Sequence, residues 1–529
     1  MDLPSHIPTP VSTIPEIYER LQSRFADRST YSLDYRRYNL KQLAYLINDN
    51  KDKIFEAVKR DLGSGDFQIQ MSDLWPILHE IELAVKRLPG WMKDEGRLWD
   101  AIFTFQTMRP RIHKQPKGVA LIIGPWNYPW QCILIPLIGA IAAGCPAVIK
   151  PSELAPSSSA LLAQLVPQYL DPEAYAVVLG QVEQTTELLQ RKWGHILFTG
   201  SGRVGKIIAD AAAKTLTPTT LELGGKSPVI VSSCANLKIT AKRLLSIKQL
   251  NTGQICVSPD YILVCKDVAD DFIRTCTETL DTFFPHAPHP QSYLTSDMTA
   301  SLHTSAALER QIAFLNKAEE EGKLVHRGEL DQERRRLGIS IVRLNANAEG
   351  EVGGIVEEEI FGPVVPVIPV DDVDAAIRYI NARPNPLALY VCSGKRSVFT
   401  KVIAETASGS ATWNDFGFAT IARSLPFGGV GDSGWGSYHG YDGFRTFSHF
   451  KSILEIPYIF EPLMAFRYPP ITTIGKTVLK LLLSPTISFS RPVSVEDERT
   501  QRVKRKVRNW LVIAIVFAAV GWFGRTRSL

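Results

Sequence analysis

The chain has no cysteine pair at metal-ligand or disulfide-framework spacing. Its seven cysteines stand at 132, 145, 234, 256, 265, 276 and 392, an odd total without any C-x-x-C, which argues for reduced thiols in a cytosol-facing protein and against a metal site. A secretory leader is also missing, since Met1-Asp2-Leu3-Pro4-Ser5 has neither the basic nor the apolar region of one. No internal repeat and no extended low-complexity tract is present, which sets aside repeat architectures. Nor does the body carry a surplus of charge. The formal +5 arises in residues 501–529, which hold seven basic side chains and no acid; the remainder carries −2 and offers nothing to a nucleic acid.

What is present is ample apolar material. With 529 residues the chain exceeds what one hydrophobic core supports, so at least two domains are expected. Residues 14–92 read as helices: Ile14, Ile17, Leu21 and Phe25 share a face, Leu40, Leu43 and Leu46 another, and Met71 to Leu88 keeps the period until Pro89-Gly90 ends it. A β-rich piece from Phe103 to Lys114 precedes the apolar run Gly118 to Gly124, which has the character of a buried parallel strand. Strands and helices then alternate. A buried helix near Ile133 to Ala143 leads to strand Ala147 to Lys150, and Ser157 and Ser158 are placed to cap a helix through Tyr169. Strands follow at Ala176 to Leu179, His195 to Thr199, Leu216 to Glu222 and Pro228 to Val231, a βαβ rhythm that predicts a doubly wound α/β sheet. A second α/β segment spans about 227–420, with helices near 268–282 and 305–321, strands near 339–343, 363–370 and 388–392, and a polar, irregular stretch at 322–357.

Few residues announce chemistry by themselves. Cys256 follows the polar, glycine-containing turn Asn251-Thr252-Gly253-Gln254 and is the candidate nucleophile, although a cysteine is more often a small buried hydrophobe. A thiol with an ordinary pKa of about 8.5 is mostly protonated at neutral pH, so such a nucleophile must be activated by its surroundings. Gly200-Ser201-Gly202-Arg203-Val204-Gly205 follows a strand and opens a helix, which suits a pyrophosphate, but the glycine spacing is common. Read alone, Asn127 is a turn residue near proline, Glu222 a solvated strand end, and Glu359 part of the charge run Glu357-Glu358-Glu359.

Seven stretches occur together in one order over roughly residues 35–470: Gly124-Pro125-Trp126-Asn127-Tyr128-Pro129, Lys150-Pro151-Ser152-Glu153, Phe198-Thr199-Gly200-Ser201, Leu221-Glu222-Leu223-Gly224-Gly225-Lys226-Ser227-Pro228, Gly253-Gln254-Ile255-Cys256, Glu359-Ile360-Phe361-Gly362-Pro363 and Leu425-Pro426-Phe427-Gly428-Gly429-Val430-Gly431. This text resembles the aldehyde dehydrogenase family, and specifically the fatty-aldehyde branch of its class 3 enzymes. The resemblance implies a Rossmann-like coenzyme domain (1–102 and 115–226, with the N-terminal helices), an α/β catalytic domain (227–421) and a small β oligomerisation arm (103–114 and 440–460) of a homodimer. It assigns Cys256 as nucleophile, the Asn127 amide and the Cys256 backbone N–H as oxyanion donors, and Glu222 as the base that activates a deacylating water. Such a base favours hydrolysis to a free acid over transfer to coenzyme A. The same resemblance puts Trp126, Lys150, Glu153, Gly200, Ser201, Gly205, Leu223, Gly224, Glu359 and Phe361 against the coenzyme, and Tyr128 and Phe427 along a substrate tunnel. Lys150 and Glu153 would meet the adenosine ribose, and a carboxylate there favours NAD while leaving NADP possible. The histidines at 439 and 449 are read as structural.

The C-terminal region adds a separate expectation. Residues 510–524 form an uninterrupted apolar run of fifteen, about 22 Å of helix, and counting from Arg508 to Arg525 gives eighteen, about 27 Å, within reach of a thin bilayer if the arginines snorkel. With Trp510 and Trp522 at the ends, residues 508–525 read as a tail anchor in preference to a packing helix. Residues 485–507 read as a linker, and 472–483 as an amphipathic helix over the tunnel mouth or on the membrane, after an Arg467-Tyr468-Pro469-Pro470 like that preceding the family's gating helix. The expected protein is thus a membrane-anchored, NAD(P)-dependent dehydrogenase of long apolar aldehydes facing the cytosol from the mitochondrial outer membrane or the endoplasmic reticulum. Apocarotenals or aromatic aldehydes are the alternative substrates, and a noncatalytic membrane scaffold the alternative of another class.

Overall fold

The apolar periodicity of the N-terminal region folds into helices α1 (Ile14–Ala26), α2 (Leu33–Asp49), α3 (Lys51–Leu62) and α4 (Trp75–Trp91). The structure is a computed structural model that describes residues 2–101, 106, 108–284, 292–346, 348–461, 467–483 and 493–501. Helix α4 does not stop at Pro89-Gly90 but continues to Trp91. A proline removes the helical bond to the carbonyl four residues earlier; here that carbonyl, Val85 O, accepts from Arg37 Nη2 of α2 at 3.3 Å, so the orphaned group keeps a partner.

The first large sheet takes β1 (Ala120–Ile123), β2 (Ala147–Lys150), β3 (Tyr175–Val177), β4 (His195–Gly200) and β5 (Thr219–Leu223), parallel in the order β5-β4-β1-β2-β3, with the short Gly434–Trp435 antiparallel on the β5 edge. Every residue of β1 and β2 is buried, which is why these strands read as continuous apolar runs. Helices α5 (Gln131–Ala143), α6 (Pro156–Tyr169) and α7 (Gly202–Thr215) cross between strands. All of α5 except Gln131 is buried, so it is apolar around its whole circumference.

Ser157 and Ser158 do not cap α6. Their backbone N–H groups instead donate to Asp61 Oδ1 and Oδ2 of α3 at 2.9 and 2.8 Å. A carboxylate takes two orphan amides at once and opposes the positive helix end, which a hydroxyl cannot match.

The second large sheet contains β6 (Ser227–Val231), β7 (Pro259–Cys265), β8 (Ser340–Arg343), β9 (Val364–Val370), β10 (Ala388–Cys392) and β11 (Ser410–Trp413), parallel in the order β8-β9-β7-β6-β10-β11. Helix α8 (Leu237–Gln249) joins β6 to the turn before β7. The stretch 322–357 is less irregular than expected: Leu324–His326 extends the sheet beside β8, and Leu330–Asp331 pairs with Arg336–Leu337. A third sheet is antiparallel, with Glu95–Gly96, Arg111–Pro116 and Ser448–Ile453, where Ser448 faces Pro116 and Ile453 faces Arg111. The expected β-rich piece therefore becomes a strand only from Arg111; its residues 103–105 and 107 lie outside the described residues.

Two compact units result, Met1–Gly96 with Arg111–Ile453 and Arg97–Pro110 with Leu454–Leu529, and all four sheets among the described residues, the two-stranded pair included, belong to the first. In the second, the expected helix appears at Thr473–Leu483. The expected tail anchor at 508–525 lies outside the described residues, and among the described ones no helix is long and apolar enough to cross a membrane.

Replacing the shared cap tests the α3–α6 link. Asp61→Ala is expected to lower the unfolding free energy by about 1–2 kcal/mol, read from urea denaturation; an unchanged midpoint would show that the carboxylate contributes nothing.

Candidate active site

The turn that carries Cys256 is built against the grain of the backbone. Asn251, Thr252 and Gly253 have φ of 50°, 54° and 75°, a left-handed run that only the glycine adopts readily. Side chains hold it in place. Gln254 Nε2 donates to Asn251 O at 3.1 Å and to Ser301 O at 3.0 Å, and Gln254 Oε1 accepts from His303 N at 3.0 Å. At Gly253 a Cβ would lie 2.3 Å from Gly362 O, so no other residue fits.

The same turn is tied to the loop after β1. Asn127 Nδ2 donates to Gln254 O at 3.0 Å, and Asn251 Nδ2 donates to Asn127 O at 3.0 Å and to Gln254 O at 3.1 Å. An amide nitrogen carries two hydrogens, so Asn127, which lines the cavity beside Cys256, keeps one to offer a developing oxyanion.

Cys256 itself is half-buried. Its thiol is pushed up to about 12, by burial first and then by Glu359 and Glu222, while the backbone amides of Cys256 and Val257 pull the other way. Those amides stabilise negative charge at the sulfur position, but in the coenzyme-free protein they do not overcome dehydration and two acidic neighbours. Glu222 sits on β5 opposite Thr199 of β4 and Gly434. It is 2% exposed, far from the solvated strand end its sequence position suggested, and among the described residues no side chain bonds to either carboxylate oxygen. Burial raises its pKa well above the carboxylate range, opposed by the backbone amide of Gly429. A dehydrated carboxyl of this kind, once ionised, is a stronger proton acceptor than an ordinary carboxylate.

Glu359 leaves its exposed neighbours Glu357 and Glu358 and lines the cavity. Two groups, Lys226 just before β6 and Asp260 on β7, set this path. Lys226 forms an ion pair with Asp260 and donates to Ile355 O at 3.0 Å and Glu358 O at 2.7 Å, while Asp260 Oδ2 accepts from Ile360 N at 2.9 Å. Arg310 Nη2 adds a bond to Glu359 O at 3.0 Å. The Glu359 carboxyl is pushed up to about 8, by burial and by Asp260, against Lys226. Gly224 receives it: a Cβ there would stand 2.2 Å from Glu359 Oε2.

One cavity of about 810 Å³ gathers most of the expected site. Trp126, Asn127, Tyr128, Cys256, Phe361 and Phe427 line it, as do Gly200, Ser201, Glu222, Leu223, Gly224 and Glu359. The remaining three stand apart from this lining. Lys150 and Glu153 pair with each other at 2.7 Å, and although burial opposes ionisation, the Lys150 bond keeps the Glu153 carboxyl below its usual range. Gly205 is buried inside α7, where a Cβ would press on Leu223 Cδ2 at 2.5 Å. The N-terminus of α7 is capped by Ser201 Oγ, which accepts from Val204 N at 3.5 Å, and the space around a Cβ at Gly202 is open. An open helix N-terminus beside a glycine-lined slot fits the phosphates of a nicotinamide dinucleotide, and Glu359 and Phe361 fit its second half.

Several lining residues carry no signal in the sequence. Cys132, Ile247, Leu250, Phe416, Phe418 and Ile421 belong to the walls. Only the aromatic pair around Gly417, just after a strand, could have drawn notice. His439, read as structural, also lines the cavity: its ring stacks on Phe427 at 5.2 Å, and burial and Arg423 hold its pKa far down, so the imidazole is neutral.

Comparison with known proteins follows the same outline. The family model described as "Aldehyde dehydrogenase family" matches residues 11–453. The rat protein named "Aldehyde dehydrogenase, dimeric NADP-preferring" is 38% identical over 463 residues, 87% of this chain and 98% of that one. The Neurospora crassa "Beta-apo-4'-carotenal oxygenase" is 37% identical over 465 residues, 87% of this chain and 84% of its own length. Among solved structures, the substrate-bound Staphylococcus aureus AldH superposes with a TM-score of 0.79 at 34% identity, covering 86% of this chain and 99% of that one.

The environment of Cys256 makes a pH prediction. An ordinary thiol ionises near pH 8.5, whereas a group raised to about 12 stays protonated below that pH and gains thiolate only as pH climbs toward it. In coenzyme-free protein the alkylation rate of the Cys256 peptide by iodoacetamide, followed by mass spectrometry, should keep rising beyond about pH 9. A plateau near pH 8.5 would mean that the two carboxyls and burial do not govern it.

Proposed function

The chain belongs to the aldehyde dehydrogenase family, and from that premise we propose that it oxidises long, apolar aldehydes to carboxylic acids at Cys256, with NAD preferred and NADP accepted. The observation that carries this reading is the convergence of Cys256, Asn127 and Glu222 on one cavity whose further walls include Ile247, Leu250, Phe416 and Phe418.

Cys256 Sγ, its proton passed to water, attacks the aldehyde carbon, and the carbonyl oxygen takes up negative charge. The free hydrogen of the Asn127 amide and the Cys256 backbone N–H receive it; loss of one such donor raises a barrier by about 2.7–4 kcal/mol. A nicotinamide dinucleotide held by Glu359, Phe361 and the N-terminus of α7 would supply the acceptor for the hydride that the thiohemiacetal carbon loses. The acyl group is then a thioester on Cys256. Glu222 removes a proton from water, the hydroxide oxygen adds to the thioester carbon, and the C–S bond breaks to give the acid and free thiol. The coenzyme preference rests on the ionised Glu153, which would face a 2′-phosphate with like charge.

An apocarotenal is the second reading of the substrate, favoured by the Neurospora relative's name. A homodimer belongs to the proposal on the strength of the rat relative's "dimeric". Membrane anchoring through residues 508–525 rests on the apolar run 510–524 and its flanking arginines. It would bring the enzyme to aldehydes that partition into lipid, on the mitochondrial outer membrane or the endoplasmic reticulum.

Steady-state NAD reduction with hexadecanal, an apocarotenal, benzaldehyde and acetaldehyde ranks the substrates. The highest kcat/KM is expected for hexadecanal, none with Cys256→Ala, and with Glu222→Gln a burst of one turnover followed by little steady rate; best turnover of acetaldehyde would sink the lipid reading. Removal of 508–529 should shift the protein from the membrane pellet to the supernatant while sparing turnover of soluble aldehydes. Continued pelleting would count against the anchor.

A further inference from the structure

One wall of the cavity carries charge that the reaction has no use for. Lys242, Arg243, Ser246, Ile247 and Leu250 of α8 and the turn after it line the cavity. From Lys242 to Gln249 the helix advances about 11 Å, and the wall changes character along the way. Leu250, next to the turn that bears Cys256, and Ile247 are half-buried, whereas Ser246, Arg243 and Lys242 are exposed. The α8 face therefore runs from the reacting end to the mouth.

Across from it stands the segment after β11. Gly417 packs on Ile247, with a Cβ position 3.0 Å from Ile247 Cδ1, and Arg243 Nη1 reaches Asn414 O at 2.5 Å and Asp415 Oδ2 at 3.4 Å. Asp415 also lines the cavity and accepts from Phe416 N at 2.9 Å. Arg243 and Asp415 thus offset each other. Lys242 makes no ion pair among the described residues, so the mouth holds one uncompensated positive charge at the end of an apolar passage. Arg423, the other cation of the lining, is buried beside Glu80 at 3.8 Å and is no part of the mouth.

We infer that this mouth selects aldehydes whose far end is anionic, with Lys242 as the recognising group; the inference rests on the aldehyde-oxidising reading of the cavity. The substrate class is the ω-oxo carboxylic acids: the aldehyde meets Cys256, the methylene chain follows the α8 wall, and the carboxylate stays half-solvated at Lys242. The product is an α,ω-dicarboxylic acid. An exposed ion pair is weak and screened by salt, so the selection is a few-fold preference rather than a requirement.

The full-length enzyme is assayed by NAD reduction with dodecanal, ω-oxododecanoate and the methyl ester of that acid. The kcat/KM ratio of acid to ester is expected to exceed one and to shrink when NaCl is raised to about 0.5 M. It should fall about two- to fivefold in Lys242→Gln, fall further in Lys242→Glu, and rise in Asp415→Asn, which frees Arg243. Dodecanal oxidised with a ratio at or below one, or a ratio that neither Lys242→Glu nor Asp415→Asn moves, overturns the inference and leaves the parent reading standing. Failure to oxidise dodecanal at all overturns both.

Discussion

The hydrogen bonds between Asn127 and the turn at 251–254 are the constraint on which the site depends. One amide from the first sheet's loop and one from the second sheet's turn cross over each other's carbonyls. Because each bond is buried, breaking one leaves a polar group without water, which is costlier than the bond's net worth. The left-handed run at Asn251 and Thr252 persists on that account. The groups proposed for catalysis are then referred to one rigid junction: the Cys256 thiol, the Asn127 amide and the Cys256 backbone N–H all hang from it.

Electrostatics at this junction is the reverse of comfortable. Glu222, Glu359 and Cys256 share a dehydrated space, and each raises the cost of charge on the thiol. A site arranged so discourages a standing thiolate while keeping strong bases at hand. The backbone amides of Cys256 and Val257 oppose that cost at the sulfur.

Legibility in the sequence followed the range of the physical cause. Buried parallel strands such as β1 and β2 declare themselves because both faces are covered and every residue is apolar. Short pieces like Leu330–Asp331 do not, since two residues have no period. The end of α4 and the cap of α6 were misread for one reason: the deciding groups, Arg37 and Asp61, come from other helices. Within the site, motif residues stand out as strings of text, yet Glu222's place beside Gly434 and Glu359's departure from its acidic run, set by Lys226 and Asp260, involve residues distant in the chain. Apolar wall residues such as Ile247 and Phe416 look like any core positions, and their function is only to leave a space unfilled.

The Asp260 contact joins two parts of the chain that would otherwise be tuned separately. Asp260 lies four residues beyond Cys256 and holds the amide of Ile360, directly after Glu359. The Cys256 thiol and the Glu359 carboxyl are therefore both placed with reference to the start of β7. A substitution at Asp260 would thus release the amide beside Glu359 and the Lys226 ion pair together, four residues from the thiol.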